Sequence, residues 1–395
     1  MDEFLVLTVS GLDQPGTTAG VTRILSNYPL VITQLQQIVL QGELVLGLTL
    51  KKQAHIDNEQ IQKDVESFVQ PRGMTVRVAS SKQGQATTEL QLLVTVLGNP
   101  LTPVAVAAIT GVIAGHGGNI DRIRQIAEYP VTAIEFEISG ASQESLRSAL
   151  ADVARANSID IAVQRASLDR RGVHLVVLDV DSTLIKQEVI DILARFAGVE
   201  KQVSDITHRA MNGELDFAES LEQRVSLLAG LPVSALAEAR SEIQFTPGAA
   251  TLCRTLHRLG FHVALVSGGF SEIVTPLAAE LGVINVRANE LEVVDGLLTG
   301  KLNGEIIDRI GKAKALQEFA KRFGVPMSRT IAVGDGANDL DMLNAAALGI
   351  AFNAKPFVRD RADSALTSPY LDTILYLMGI NRAEIEQADS QDATR

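Results

Sequence analysis

An internal repeat in the first 165 residues constrains the fold of this chain more than any other sequence feature. Segments 88 residues apart share their pattern: residues 4–9 match 92–97, Pro15 matches Pro103, and residues 44–50 match 132–138. A pattern that recurs at a fixed offset predicts a structural unit that is built twice. We expect the offset to hold without a gap over most of the segment.

Each copy presents strand and helix patterns in the same order. A first strand precedes a helix at 17–27 or 103–116, strands at 31–40 and 44–51 or 119–128 and 132–139, a helix at 58–69 or 142–156, and a last strand. This order is a β-α-β-β-α-β unit of the ferredoxin-like type. We therefore predict one domain at 1–80 and another at 86–167, with the polar run 80–85 as their linker.

The pattern changes after Gly172 to that of a doubly wound parallel sheet. Nearly continuous apolar runs at 173–178, 261–266, 330–333 and 348–352 alternate with helical patterns. Such runs are typical of strands that are buried on both faces of a Rossmann-like α/β sheet. We predict this domain at 172–384, with a helical cap inserted at about 185–245 and a polar tail at 385–395.

Three of these strands end in polar clusters. The clusters are Asp179 with Asp181, residues 267–269, and residues 334–339. One such cluster could be a turn or a helix cap. Ligands of open α/β sheets bind beyond the carboxyl ends of the strands, so three clusters there predict a functional site.

The acidic residues of these clusters suit a divalent cation. Asp179 and Asp181 are two residues apart in an extended segment, so both can face one substrate. Adjacent carboxylates repel each other unless a cation or a proton separates them, and Mg²⁺ prefers such oxygen ligands. Asp335 can complete this metal site, and Asp339, one helical turn later, can support the metal through water.

The remaining polar residues suit a phosphate group. Ser267 and the backbone N–H of Gly268 can bind phosphate oxygens at a helix N-terminus. Lys312, near the start of a predicted helix at 311–323, can supply a positive charge to the same phosphate, and Lys314 is the competing choice.

These motifs resemble, in order, the four motifs of the haloacid dehalogenase superfamily, and the resemblance covers about residues 172–380. It implies that Asp179 attacks phosphorus to form an aspartyl-phosphate, and that Asp181 acts as general acid and then general base. It also implies that the side chains of Asp179 and Asp335 and the carbonyl of Asp181 bind Mg²⁺, and that Lys312 neutralises the transferring group.

Within that superfamily, the segment 211–228 and Ser182, which follows the acidic pair, resemble the phosphoserine phosphatases. The resemblance implies that Glu188 binds the ammonium group of phosphoserine and that Arg224 binds its carboxylate. A surface ion pair or a solvated helix face is the alternative for these two charges.

Three further residues are carried over from the same resemblance. Met211 and Phe217 match apolar cap residues that exclude water from the substrate. Asn338, in the third polar cluster, is expected to bind substrate. The implied reaction is hydrolysis of phosphoserine, the last step of serine biosynthesis.

The loop at 11–16 of the first copy resembles the ligand loop of ACT domains, which bind amino acids and regulate metabolic enzymes. The second copy lacks the second glycine of this loop and has Asn119 where the first has Val31. Candidate contacts to serine or another amino-acid effector are Asp13, Gly16 and Asn119. Either copy could bind it, or both could be interaction modules without a ligand, and by analogy with ACT proteins we expect a homodimer through these domains.

Composition excludes several other classes. The chain has 47 acidic and 35 basic residues, a net charge of −12, which argues against binding nucleic acid. No run of about 18 apolar residues could cross a membrane. A single cysteine, Cys253, excludes an intrachain disulfide. The acidic first residues lack the basic segment of a signal peptide, so we expect a cytoplasmic protein.

Three alternatives remain open at this stage. The first is a related phosphatase for another small phosphate ester, which would not need both Glu188 and Arg224. The second is a signalling receiver, a class that lacks a cap insertion. The third is an amino-acid sensor with a degenerate α/β domain, against which the intact set of polar residues argues.

Overall fold

The computed structural model describes residues 3–54, 56–81, 92–211 and 214–393, and the side chains of Met211 and Ala393 lie outside this description. The chain divides into two compact units, Met1–Thr88 and Glu89–Arg395. The expected linker at 80–85 falls mostly outside the described residues.

The first unit has the predicted β-α-β-β-α-β order. Its elements are β1 (Phe4–Leu12), α1 (Thr17–Leu25), β2 (Leu30–Leu40), β3 (Glu43–Lys52), α2 (Asn58–Val69) and β4 (Thr75–Ser81). They form an antiparallel sheet in the order β2-β3-β1-β4. Alternate residues of β1 and β3, such as Leu7 and Leu48, are buried with apolar residues of the helices. This alternation is what the period of two residues in a strand requires.

The second copy repeats this arrangement at the start of the second unit. Its elements are β5 (Leu92–Gly98), α3 (Pro103–Gly115), β6 (Asn119–Ala127), β7 (Thr132–Ser139), α4 (Gln143–Asn157) and β8 (Asp160–Arg165). Their order in the sheet is β6-β7-β5-β8. The two predicted ferredoxin-like units are thereby confirmed.

The expected gapless offset is wrong in the first strand. Leu7 lies opposite Leu48 in the first copy, whereas Val94 lies opposite Phe136 in the second. Phe136 follows Leu48 by 88 residues, but Val94 follows Leu7 by 87. A slip of one residue would turn the core side chains of a strand to the opposite face, so burial sets the register. The turn before Pro103 therefore holds one residue more than the turn before Pro15.

The rest of the second unit is the predicted doubly wound α/β domain. Its strands are β9 (Leu175–Leu178), β10 (His262–Phe270), β11 (Asn285–Val294), β12 (Leu297–Asn303), β13 (Thr330–Gly334), β14 (Leu348–Phe352) and β15 (Ser364–Leu366). Their order is β12-β11-β10-β9-β13-β14-β15, and β12 alone among these described strands runs antiparallel to its neighbour. Apolar residues of β9 pack on both faces of the sheet, which explains its uninterrupted apolar sequence.

Helices cover both faces of this sheet and form the cap. The cap helices are α5 (Val189–Ala197), α6 (Glu200–Met211), α7 (Phe217–Ser226) and α8 (Ser234–Ser241). The other helices are α9 (Ala249–Arg258), α10 (Ser271–Glu280), α11 (Arg309–Phe323), α12 (Leu340–Ala345), α13 (Pro356–Arg359), α14 (Ile374–Leu377) and α15 (Arg382–Ala393). The hairpin of β11 and β12 supports the cap, since the backbone N–H of Gly230 donates to the carbonyl of Leu298 at 2.8 Å.

The sheet of the second ferredoxin-like domain continues into the α/β sheet. Strand β8 pairs with β15, where Ala162 lies opposite Ser364, so the described strands of this unit form one 11-stranded sheet. Asp160 of β8 accepts hydrogen bonds from the backbone N–H and the hydroxyl of Thr367, at 2.8 and 2.9 Å. Buried apolar residues of both domains also belong to one cluster. The two domains therefore share a hydrophobic core.

The segment 385–395, predicted to be a polar tail, is helical for most of its length. Helix α15 extends to Ala393, and its residue Ile385 is buried. The carboxylate of Asp389 accepts hydrogen bonds from Arg254 and Arg258 of α9. The composition of this segment is polar, but one apolar contact and a set of ion pairs hold the helix in place.

Within the described residues, no helix is long and apolar enough to cross a membrane.

Candidate active site

The first two polar clusters meet the third because their strands are neighbours. Strand β9 lies between β10 and β13, all three in parallel. Asp179 directly follows β9, and its backbone N–H donates to the carbonyl of Val333 at the end of β13, 2.9 Å away. Asp335 follows β13 in turn. The carboxyl ends of these strands therefore bring acidic groups from distant parts of the chain to one edge.

Lys312 is the central cation of this edge. Its Nζ lies 2.6 Å from Oδ1 of Asp179 and 2.6 Å from Oδ1 of Asp339, and its side chain is fully buried. The lysine is presented there because Asp308 caps α11, its Oδ1 accepting from the N–H of Gly311 at 2.7 Å. Burial acts to lower the pKa of Lys312, but the charges of Asp179 and Asp339 outweigh it and raise the pKa. The ammonium group thus stays charged.

Lys314, the competing choice, lies elsewhere. Its side chain is exposed and its Nζ is 3.5 Å from the carboxylate of Glu305. The structure therefore brings Lys312, and not Lys314, to the acidic groups.

Three carboxylates converge closely enough to hold a metal ion together. Oxygens of Asp179, Asp335 and Asp339 lie within 4.8 Å of one another. Burial raises the pKa of Asp335 to about 7, and the charges of Asp339 and Glu188 add to this effect. Burial and the charge of Asp339 also raise the pKa of Asp179, against the opposing effect of Lys312. One lysine does not balance this many acids, so the donor set fits a divalent cation with oxygen ligands.

Asp339, expected to support the metal through water, lies close to the other two acids. Its carboxylate belongs to the group of three, pairs with Lys312, and accepts from the N–H of Gly336 at 2.9 Å. The carboxylate of Asp181 is not part of this group of three.

Asp181 lies between the group of three carboxylates and residues 267–269 of β10. Its Oδ1 accepts from the N–H of Val189 at the start of α5, 3.1 Å away. Burial raises the pKa of Asp181 to about 7, and the negative charge of Glu188 contributes. A carboxyl group with such a pKa exists in both protonation states near neutral pH, which a group acting as general acid and then general base requires.

We call residues 267–269, near the end of β10, the phosphate loop, because the sequence predicts that they bind phosphate. Ser267 is fully buried, and its Oγ accepts from the N–H of Gly269 at 2.8 Å. A Cβ atom on Gly269 would lie 2.8 Å from Oδ2 of Asp181 and 3.0 Å from Oγ of Ser267. Glycine is therefore needed at this position, because both side chains occupy the space next to its Cα.

Glu188 and Arg224 stand at the cap side of the site. The hydroxyl of Ser182 donates to Oε1 of Glu188 at 2.6 Å. Burial lowers the pKa of Arg224, while the charges of Glu188, Asp191 and Asp181 raise it. Among the described residues, Arg224 forms no ion pair within 4 Å, and its Nε donates to the carbonyl of Ser220 at 3.2 Å. A half-buried guanidinium without a carboxylate partner can receive an anionic ligand.

The other predicted substrate residues are placed as follows. Phe217 begins α7, where Asp216 and Glu219 form a capping box, and its ring lies 3.0 Å from the position of a Cβ on Gly268. Asn338 folds back over Gly336, since a Cβ there would lie 2.1 Å from its Oδ1. The side chain of Met211 lies outside the described residues.

The candidate effector residues lie in the two ferredoxin-like domains. Asp13 is exposed in the loop after β1, and Gly16 precedes α1 in a left-handed conformation with φ of 88°. Asn119 begins β6, and its amide donates to Oδ1 of Asp121 at 2.6 Å.

Thr183 is a further residue of this site, not predicted from the sequence, and its hydroxyl donates to Oδ1 of Asp335 at 3.3 Å. Its position two residues after Asp181 is a weak signal, because Ser182 between them is left-handed with φ of 57° and the segment is therefore not extended.

Known families match three segments of the chain. Residues 176–344 match the haloacid dehalogenase-like hydrolases, and residues 3–79 and 92–164 each match an ACT domain. The chain is 49% identical over 387 residues to a phosphoserine phosphatase of Streptomyces coelicolor, covering 98% of this chain and 94% of that protein. It is 46% identical over 395 residues to Phosphoserine phosphatase SerB2 of Mycobacterium tuberculosis, covering 98% and 96%.

A solved structure resembles about half of this chain. It is an analogue of the phospho-aspartyl intermediate of a phosphoserine phosphatase, with 43% identity and a TM-score of 0.50, covering 52% of this chain and 98% of that one. A substrate-bound phosphoserine phosphatase complex has 42% identity and the same TM-score and coverage.

We predict that Lys312→Met lowers phosphatase turnover of p-nitrophenyl phosphate by at least about 1000-fold, since it removes the buried cation that contacts Asp179 and Asp339. Steady-state release of nitrophenol measures this. Lys314→Met, two residues along the same helix, is the matched control and should keep turnover within about twofold. Equal losses in both variants would contradict the assignment of Lys312.

Proposed function

Since this chain belongs to the phosphoserine phosphatases among the haloacid dehalogenase-like hydrolases, we propose that it hydrolyses O-phosphoserine to serine and phosphate at the site described above. The observation that carries this proposal is the convergence of Asp179, Asp181, Ser267, Lys312 and Asp335 at neighbouring strand ends. We further propose that the reaction is the last step of serine biosynthesis in the cytoplasm.

The chemistry proceeds in two steps on Asp179. A carboxylate oxygen of Asp179 bonds to phosphorus as the bond from phosphorus to the serine oxygen breaks, and Asp181 donates its proton to that oxygen. Water then attacks phosphorus in the aspartyl-phosphate, Asp181 takes a proton from this water, and phosphate leaves. Lys312 and the hydroxyl of Ser267 stabilise the charge on the transferred group in both steps.

Mg²⁺ is the proposed cofactor, held by the side chains of Asp179 and Asp335 and the carbonyl of Asp181, with Asp339 beside them. When bound, the cation neutralises negative charge on the phosphate and on the carboxylates.

Substrate selection is proposed to depend on the cap side of the site. The carboxylate of Glu188 binds the ammonium group of phosphoserine. The hydroxyl of Ser182 holds the carboxylate of Glu188 in position through its hydrogen bond. Arg224 binds the substrate carboxylate in a bidentate manner. Phe217, Met211, Gly268 and Asn338 complete the substrate pocket.

We predict that the protein releases phosphate from O-phosphoserine in Mg²⁺, and that chelation by EDTA abolishes this activity.

Arg224→Ala should lower kcat/KM for phosphoserine by about 100-fold, because loss of a charge-assisted bidentate contact costs about 3 kcal/mol. The same change should lower kcat/KM for p-nitrophenyl phosphate, which has no carboxylate, by less than about threefold. Phosphate release over a range of substrate concentrations measures both.

Arg195→Ala is the control, since Arg195 lines a cavity together with Glu188 but is exposed and pairs with Glu242. It should leave both values unchanged. If Arg224→Ala lowers kcat/KM equally for both esters, the result would favour the alternative function, a phosphatase for another small phosphate ester.

Regulation by an amino acid such as serine is proposed to act through the ACT domains. Removing both domains would not test this, because the second one shares its core with the catalytic domain. Point variants of full-length protein are required. We predict that either Asp13→Ala or Asn119→Ala, depending on which copy binds, weakens inhibition by added serine by about tenfold without changing kcat. Unchanged inhibition in both variants would indicate product inhibition at the active site.

A homodimer through the ACT domains is proposed from their edge strands. Strand β2 is an exposed edge, and residues 30–42 contain no charged side chain. The equivalent edge β6 carries Arg122 and Arg124, which pair with Glu137 and Glu135. Charges protect an edge strand from pairing, so β2 lacks a protection that β6 has. A second copy fits β2 because two uncharged copies of one strand oppose no like charges.

We predict that Leu35→Lys converts a dimer into a monomer, because it places a charge at the centre of the paired edges. Ile123→Lys is the matched control, since Ile123 occupies the equivalent position of β6 at the offset of 88 residues and is similarly exposed. Light scattering after size-exclusion chromatography measures the mass. A wild-type monomer, or an equal response of both variants, would disprove pairing through β2.

A further inference from the structure

Asn289 is a buried polar residue to which the chemistry above assigns no role. It lies on β11, opposite Phe270 of β10, and only 2% of its surface is exposed. The regular pairing of β10 and β11 is interrupted between Val266 and Phe270, the stretch that contains the phosphate loop. Asn289 therefore stands beside the irregular segment that carries Ser267.

The amide of Asn289 connects two separate segments of the site. Its Nδ2 donates to the carbonyl of Gly268 at 2.8 Å, and its Oδ1 accepts from the N–H of Ile307 at 2.7 Å. Ile307 directly precedes Asp308, the cap of α11. The backbone N–H of Lys312 in turn donates to the carbonyl of Asp308 at 2.9 Å.

We propose that Asn289 is a positioning residue that fixes the phosphate loop relative to the N-terminus of α11, and so holds Ser267 and Lys312 at one separation. This inference rests on the proposed function, in which both groups contact the same transferring phosphate. Apolar residues of α11 pack on β10 ahead of the loop, with Leu316 and Val266 in one cluster, and the amide of Asn289 adds two short hydrogen bonds at the loop itself.

The hydrogen bonds of Asn289 distinguish a positioning role from the mere pairing of a buried amide with a nearby backbone group. A residue that only stabilised the strands would bond to its neighbouring strand, as Asn285 does on the same strand, where Nδ2 donates to the carbonyl of Val263 at 3.3 Å. Asn289 also bonds to the neighbouring strand, at Gly268, but its Oδ1 in addition accepts from Ile307 in the segment before α11. A shift of about 1 Å between catalytic groups can lower turnover about 100-fold.

The test compares Asn289→Ala with Asn285→Ala in the full-length protein with Mg²⁺. We expect Asn289→Ala to lower kcat by about 30-fold or more on both phosphoserine and p-nitrophenyl phosphate, with KM changed less than about threefold, because the loss falls on the transition state. Asn285→Ala should keep kcat within about twofold while lowering the thermal unfolding midpoint to a similar extent.

A second variant covers the case in which Asn289→Ala fails to fold. Asn289→Asp keeps the shape and the acceptor for Ile307 but places an oxygen against the carbonyl of Gly268, and should lower kcat about tenfold. Wild-type kcat in the folded variant, a loss shared equally by Asn285→Ala, or a loss confined to KM for phosphoserine would each overturn the proposal. If the wild-type protein spares phosphoserine but hydrolyses p-nitrophenyl phosphate, the proposed substrate fails, and the second ester still tests Asn289.

Discussion

The buried ion pairs of Lys312 with Asp179 and Asp339 are the interaction on which the rest of this site depends. Burial of several carboxylates is costly unless cations accompany them, and removal of one partner from a buried pair leaves an uncompensated charge. The fold provides the lysine from α11 and the acids from the ends of β9 and β13. These elements are neighbours only in a doubly wound sheet, so the electrostatic requirement and the topology are satisfied together.

On the function proposed above, the site divides into a part for the phosphate and a part for the remainder of the substrate. The sheet edge supplies Ser267, Lys312 and the acids, which any phosphate ester would need. The cap supplies Arg224, while Glu188 comes from the segment that leads into the cap. Chemistry and selection thus rest on different elements, and the hairpin of β11 and β12 connects them, because it supports the cap and carries Asn289.

The sequence was sufficient for the strands, the helices and the polar strand ends, because periodicity and burial determine these locally. It was insufficient where a long-range contact decides. The first strand of the repeat shifts by one residue because its partner strand sets which face is buried, and the last helix forms because Ile385 and Asp389 find partners on distant elements. Asn289 gave no signal either, since its two hydrogen-bond partners are 21 and 18 residues away along the chain.

The two ACT domains share a fold but differ in their cores and in their edge strands. The second is joined to the catalytic domain through β8 and β15, through the shared core, and through Glu135, a buried carboxylate that pairs with Arg170 from the segment before β9. Such a domain cannot unfold or move away without exposing the core of the enzyme and a buried charge. The first has its own core and an uncharged edge. The same repeat therefore serves as an integral part of the catalytic unit in one copy and leaves an edge strand open for pairing in the other.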